Sequence, residues 1–366
     1  MKKMNVRTIG MTVVVLLWAT LIAAAWFAPS REISESERRP LAQTPEITAD
    51  ALLSGRFMKD FEEFSLDQFP LRDSFRTLKS LFHFGVLSQS DSNDIYIADG
   101  YAVKQEYPLN VDSLNHAVER FNHLYEKYLT DCNVYMAIVP DKGQYLAEES
   151  GHLTLHFGKL NTIVREQMPW ATHIDLYNSL DAADYYRTDI HWRQEHLFEA
   201  AKTICDAMGV SAPKAGDYSV TALERPFYGV YYGQAALPME PETMYLLESD
   251  VLKDCRVYDH ESGRYTDVYN MDKLESKDLY DVFLSGSRSL LTIENPHANT
   301  ERELILFRDS FGSAIAPLLL TDYAKVTLVD VRYVQIDLLD RFLEFGEQDV
   351  LLLYSVPVLN NSQTIK

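Results

Sequence analysis

The chain has 366 residues, 46% hydrophobic and 24% charged, which is enough to bury one large core, or one core and a smaller lobe, and too apolar for a disordered protein. Its 34 basic residues face 54 acidic ones for a formal net charge of -20, and no basic stripe with interleaved aromatics occurs, which argues against a nucleic-acid or polyanion surface.

The N-terminus carries Lys2, Lys3 and Arg7, after which residues 9–28 run without a charge. A run of about 20 apolar residues spans a hydrocarbon core of roughly 30 Å, and the basic start points to the cytoplasm. The expected layout is a cytoplasmic tail (1–8), a transmembrane anchor (9–28), a tether (29–56) rich in Glu, Arg, Pro and Ser, and an extracytoplasmic domain (57–366). Ala23-Ala24-Ala25 offers a cleavage site, but the run exceeds a usual signal-peptide core, which favours an anchor that is kept.

Residues 57–84 alternate aromatic and charged side chains at helical spacing, with Pro70 ending one helix before the next begins. A hairpin turned on Asp99-Gly100 follows. A helix over 111–129 precedes a strand over 134–139, and a helix over 160–167 precedes a strand over 173–176. Leu197, Ala201, Ile204, Cys205 and Met208 mark a helix ending at Gly209. Residues 211–300 are turn-rich and Tyr-rich, an inserted region of mostly short strands. The alternation then resumes with strands at 304–307, 326–330 and 350–354, and helices at 313–323 and 335–345. Near-continuous apolar strands joined by helices predict an α/β chain: a parallel sheet covered on both faces in a three-layer α/β/α arrangement, with ligands at the carboxyl ends of its strands.

Two stretches carry candidate chemistry. In Leu304-Ile305-Leu306-Phe307-Arg308-Asp309-Ser310-Phe311-Gly312 a buried strand hands over to a helix at Ser310, where first-turn N–H groups would face an oxyanion and Gly312 would let a substrate come close. Asp309 or Ser310 reads equally as a helix N-cap, the commoner role of such residues. Tyr186-Arg187-Thr188-Asp189-Ile190-His191-Trp192 supplies an imidazole to take a proton from Ser310 and a carboxylate to fix its tautomer; the bland reading is a cap beside a half-buried aromatic. A metal site at Asp189, His191 and His196 is disfavoured, since histidines five apart lie on different helix faces, and no cofactor motif is present. His173 and His297 are isolated. Cys132, Cys205 and Cys255 form no Cys-x-x-Cys pair and read as small core residues, with one disulfide left open.

Six motifs in order, Asp67-Gln68-Phe69-Pro70-Leu71-Arg72-Asp73, Pro140-Asp141-Lys142, the 186–192 turn, Asp281-Val282-Phe283-Leu284-Ser285-Gly286, Arg308-Asp309-Ser310-Phe311-Gly312 and Asp330-Val331-Arg332-Tyr333, resemble the bacterial DHHW proteins. These in turn resemble the alginate O-acetyltransferase branch of the SGNH hydrolases. The resemblance runs from about Phe57 to the end. It implies an SGNH-hydrolase-like (flavodoxin-like) fold and a membrane-anchored or secreted O-acyltransferase or acetylesterase. Its substrate would be a cell-envelope or exported polysaccharide, its partner a membrane acyl-donor protein. It makes Ser310 the nucleophile, His191 the base and Asp189 its orienter, with Gly312, Gly286, Ser287 and Arg332 on the oxyanion or substrate side. Ile190 stands where the family name has its first His, and Ser287 where relatives carry Asn. The alternative is a non-catalytic envelope component that keeps the fold and binds glycan through the Tyr-rich stretch 218–280.

Overall fold

The computed structural model describes residues 6–34 and 36–366, which divide into two compact units, 1–92 with 232–238, and 93–231 with 239–366. In the first unit Val6–Phe27 is a helix, and its Arg7–Ala25 stretch, with mean hydropathy 2.2, is long and apolar enough to cross a membrane. The residues beyond it are not a free tether. Ile33–Ser34 pairs antiparallel with Arg39–Pro40, and the Arg39 guanidinium grips Asp67 at 2.8 and 2.6 Å, holding that carboxyl down at about 2. Gln68 binds both the N–H (2.9 Å) and the carbonyl (2.8 Å) of Arg31. The helices Arg56–Asp67 and Arg72–Gly85 flank Pro70 as expected, and the second binds the returning stretch through Ser80 Oγ to Ala235 O (2.7 Å) and Arg76 to Gly233 O (2.8 Å).

The second unit is built on one eight-stranded sheet. Its strands are β1 (Asn133–Val139), β2 (Thr172–Ile174), β3 (Arg256–Asp259), β4 (Arg264–Thr266), β5 (Leu290–Glu294), β6 (Glu303–Arg308), β7 (Lys325–Val329) and β8 (Asp349–Ser355). The spatial order is β4-β3-β5-β7-β6-β8-β1-β2. The five strands from β7 to β2 run parallel, and β5, β3 and β4 extend the sheet antiparallel. All four strands expected to share a sheet do so. The inserted region does not stand apart, because β3, β4 and β5 complete the same sheet.

Alternation along the strands divides the core into two layers. Ala137, Val139, Leu304, Leu306, Leu351 and Leu353 face one cluster, which packs on the helix Phe198–Met208. Val134, Met136, Ile138, Ile305, Phe307, Val350 and Leu352 face the other, which packs on the helices Val111–Leu124 and Phe157–Gln167. This is the α/β/α arrangement. Two helices are shorter than their patterns predict. The one after Ser310 is α-helical only over Gly312–Ile315 and tightens to 3₁₀ over Ala316–Leu319, where Pro317 removes a backbone donor. The 335–345 stretch forms only a 3₁₀ helix, Ile336–Arg341.

Candidate active site

Three chain segments meet at the carboxyl ends of the parallel strands. Strand β6 ends at Arg308 and is followed by Asp309 and Ser310. Asp309 is buried, and its carboxylate accepts from Phe311 N (3.0 Å) on one oxygen and from Ser355 N (2.8 Å) and Oγ (2.6 Å) on the other. It therefore ties the serine turn to the end of β8, while the helix N-cap is Phe311, with no side chain capping it. Ser310 is left with its hydroxyl free for a longer reach.

The residues after β2 supply the partner. Tyr185 bridges Trp192, and Tyr186 N donates to His191 O (3.1 Å), closing the 186–191 turn. Within it Asp189 Oδ1 accepts from His191 Nδ1 at 2.6 Å, and His191 Nε2 lies 2.7 Å from Ser310 Oγ. A carboxylate only accepts, so Nδ1 carries the proton and the Nε2 lone pair faces the serine O–H. Asp189 also receives the His191 N–H (3.1 Å) on Oδ1 and the Val230 N–H (2.7 Å) on Oδ2. The imidazole stacks on Tyr280 at 3.9 Å and 9° between planes, and Trp192 Nε1 donates to Phe311 O (3.1 Å), locking the turn to the serine segment. Asp189 and His191 are buried and Ser310 is half-buried. Chemically, this is a serine hydroxyl with a base in reach and a buried carboxylate behind the base.

The turn itself is held from two sides. Lys142, just past β1 and fully buried, donates to the carbonyls of Tyr186 (2.8 Å), Arg187 (3.3 Å) and Asp189 (2.7 Å). Burial pulls its ammonium down to about 8, and burial likewise pushes the neighbouring Asp141 up to about 6. Glu242 accepts from Arg187 N (2.8 Å), Thr188 N (2.9 Å) and Thr188 Oγ1 (2.9 Å). The Pro140-Asp141-Lys142 motif hinted at the first of these; nothing in the sequence separates Glu242 from the other acidic residues.

The residues expected on the oxyanion or substrate side have the following surroundings. The helix after Ser310 is too short to present free N–H groups, because Gly312 N donates to Asp309 O (3.1 Å) and Ser313 N to Ser310 O (3.2 Å). Among the described residues no backbone acceptor is found for the Ser310 N–H. Gly312 answers packing, since a Cβ there would lie 2.6 Å from Arg308 Cβ. Gly286 closes a left-handed run (Leu284, Ser285, Gly286; φ 51°, 64°, 76°), and its N–H is used by Phe283 O (3.1 Å). Ser287 is exposed. Arg332 is paired bidentately with Asp330 at 2.9 and 2.6 Å, so its charge is already met. His196 sits 3.4 Å from Asp184 and away from the Asp189–His191 contact, and the three cysteines are free thiols.

No curated protein matches the chain by sequence. The pattern of the family described as DHHW protein matches residues 172–329. Among solved structures, a DHHW family protein from Eubacterium siraeum is 21% identical, with a TM-score of 0.61 over 75% of this chain and 95% of its own. PatB1 of Bacillus cereus is 17% identical with a TM-score of 0.57 over 72% of this chain and 96% of its own. The same protein solved with a sulfonyl adduct gives 18% identity and a TM-score of 0.54, covering 72% and 95%. At these identities the likeness is one of fold. The segment 172–329, similar to the DHHW family, contains both the Asp-x-His turn and the serine, and the chain shares the fold of these solved structures.

Proposed function

We propose that this protein is a membrane-anchored, extracytoplasmic SGNH-type O-acyltransferase or acetylesterase that acts on a cell-envelope or exported polysaccharide. One observation carries the reading, the continuous line from Ser310 Oγ through His191 (2.7 Å) to Asp189 (2.6 Å). A helix-capping serine has no need of a buried imidazole backed by a buried carboxylate. In the proposed reaction Ser310 Oγ attacks the acyl carbonyl while His191 Nε2 takes its proton, and the Ser310 N–H receives the oxyanion. The imidazolium, stabilised by Asp189, returns the proton to the departing donor group. An acceptor hydroxyl, from sugar or water, then repeats the sequence and frees Ser310.

The anchor is supported by the Arg7–Ala25 stretch and the basic N-terminus. The polysaccharide rests on the six-motif resemblance to the alginate O-acetyltransferase branch. The test compares wild type with Ser310→Ala for turnover of a chromogenic acetate by the purified protein, and for acetyl content of the envelope polysaccharide in cells. Loss of both in the variant is expected. Unchanged polysaccharide acetylation, with equal acetate turnover, would refute the reading.

A further inference from the structure

Lys142 is an unusual charge. Its ammonium is fully buried, yet among the described residues no carboxylate lies within salt-bridge distance; it faces three carbonyl oxygens and the rings of Tyr231 (5.1 Å) and Tyr101 (5.8 Å). The nearby acidic groups, Asp141, Asp189 and Glu242, act on it only through space. Burying an ammonium this way costs several kcal/mol, and an apolar side chain would fill the same space without that cost. What the charge does is local. Three carbonyls of one short turn converge on Nζ, and without a cation their dipoles repel one another.

The opposite side of the turn has the opposite solution. Glu242, also buried, collects the N–H groups of Arg187 and Thr188 and the Thr188 hydroxyl. Thr188 Oγ1 in turn accepts the Gly229 N–H (3.0 Å), and a Cβ on Gly229 would lie 2.2 Å from the Thr188 carbonyl. The next residue, Val230, gives its N–H to Asp189 Oδ2. Donors of the turn thus face a carboxylate and its acceptors face an ammonium.

We propose that Lys142 and Glu242 are positioning residues for the reaction, an ionic clamp across the 186–189 turn that holds Asp189 against His191. This rests on the Ser310, His191 and Asp189 reading above. Neither residue touches Ser310, so their action is exerted through the placement of the Asp189 carboxylate. A misplacement of about 1 Å costs on the order of 100-fold in rate.

The test uses the full chain in detergent and an aryl sulfonyl fluoride. Ser310 Oγ attacks sulfur, the S–F bond breaks, fluoride leaves and His191 takes the proton, so the rate of labelling at Ser310, read by mass spectrometry, reports the activated hydroxyl without a known substrate. Lys142→Met and Glu242→Gln are each expected to label about 100-fold more slowly. Lys142→Arg, which keeps a cation facing the three carbonyls, is expected to recover part of that rate. Combined with Asp189→Asn, neither Lys142→Met nor Glu242→Gln should slow labelling further, since both act through that carboxylate. Folded variants that label at the wild-type rate would overturn the clamp, and so would slowing that multiplies with Asp189→Asn. If Lys142→Met fails to fold, Glu242→Gln carries the same two readouts. Wild type unlabelled at Ser310 would instead overturn the underlying reading, and the clamp with it.

Discussion

Replacing Asp189 by Asn changes one atom and no shape, so its effect can be worked from the hydrogen bonds. The carboxylate accepts from His191 Nδ1 (2.6 Å) and His191 N (3.1 Å) on Oδ1 and from Val230 N (2.7 Å) on Oδ2. An amide has one acceptor. If its oxygen keeps Oδ1, the NH2 opposes the Val230 N–H; if the oxygen moves to Oδ2, the NH2 opposes the His191 N–H and forces Nδ1 to accept. Either way one backbone donor loses its partner in a buried place, at about 1–3 kcal/mol of stability. The second orientation forfeits the longer, weaker bond, so it is favoured, and it puts the imidazole proton on Nε2, where it can no longer take one from Ser310.

Two losses therefore add in the rate: population of the wrong tautomer, and loss of a charge-assisted bond to the imidazolium. Each is about 1–2 kcal/mol, together about 2–4 kcal/mol or on the order of 30- to 1,000-fold. The assay is steady-state turnover of a chromogenic acetate beside Ser310→Ala and His191→Ala, with urea unfolding to separate stability from rate. Ser310→Ala and His191→Ala should each abolish turnover, and Asp189→Asn should reduce it within the stated range. The pair Asp189→Asn with Ser310→Ala should be no worse than Ser310→Ala alone. Asp189→Asn turnover within about threefold of wild type would refute the reasoning, since it would mean the carboxylate neither sets the tautomer nor meets the imidazolium.

Asp141 should make stability depend on pH. Burial raises its carboxyl from 3.8 to about 6, so the folded chain holds the proton longer than the unfolded one, and the stability it contributes is full below pH 3.8 and lost as pH rises through 6. At pH 7 the cost is up to about 3 kcal/mol. Asp141→Asn should therefore gain on wild type between pH 4 and pH 7, measured by urea unfolding at both; a difference that does not change with pH would contradict this. Gly286→Ala should lower stability, because φ is 76° and the new Cβ would lie 2.0 Å from Asp281 Oδ1. The expected loss is about 1–3 kcal/mol, or about 2–4 °C in melting temperature per kcal/mol, and an unchanged melting temperature would mean the loop yields freely.

What was legible in the sequence was what short-range pattern controls. The central strands are continuous apolar runs because both their faces are buried, and that pattern survives without any knowledge of neighbours. The meeting of Ser310, His191 and Asp189 was legible because Asp189 and His191 share one turn and Ser310 sits at a strand end. Helix lengths were less so: at 313–323 Pro317 lies inside an otherwise helical apolar pattern, and removal of a donor outweighed the pattern. The strands β3 and β5 read as short isolated runs, since which sheet edge a strand joins is decided by distant partners. Lys142 stood out only as part of the Pro140-Asp141-Lys142 motif, and what it and Glu242 do was invisible for the same reason. Their partners are backbone atoms 44 to 55 residues away, and backbone atoms leave no mark on sequence.

The inserted region ties these points together. Its tyrosines offered a glycan surface, yet Tyr231 and Tyr280 are buried, and Tyr269 gives its hydroxyl to Gln194 Oε1 (2.9 Å) and Leu247 O (2.6 Å). Gln194 in turn donates to Ala314 O (2.9 Å), within the helix that follows Ser310. Val230, Glu242 and Tyr280 come from the same stretch and meet Asp189, its turn and the His191 ring. Tyr228 and Tyr265 stay exposed, whereas Tyr231, Tyr280 and the Glu242 carboxylate converge on the 186–191 turn, so this part of the insertion forms a wall behind the His191 ring.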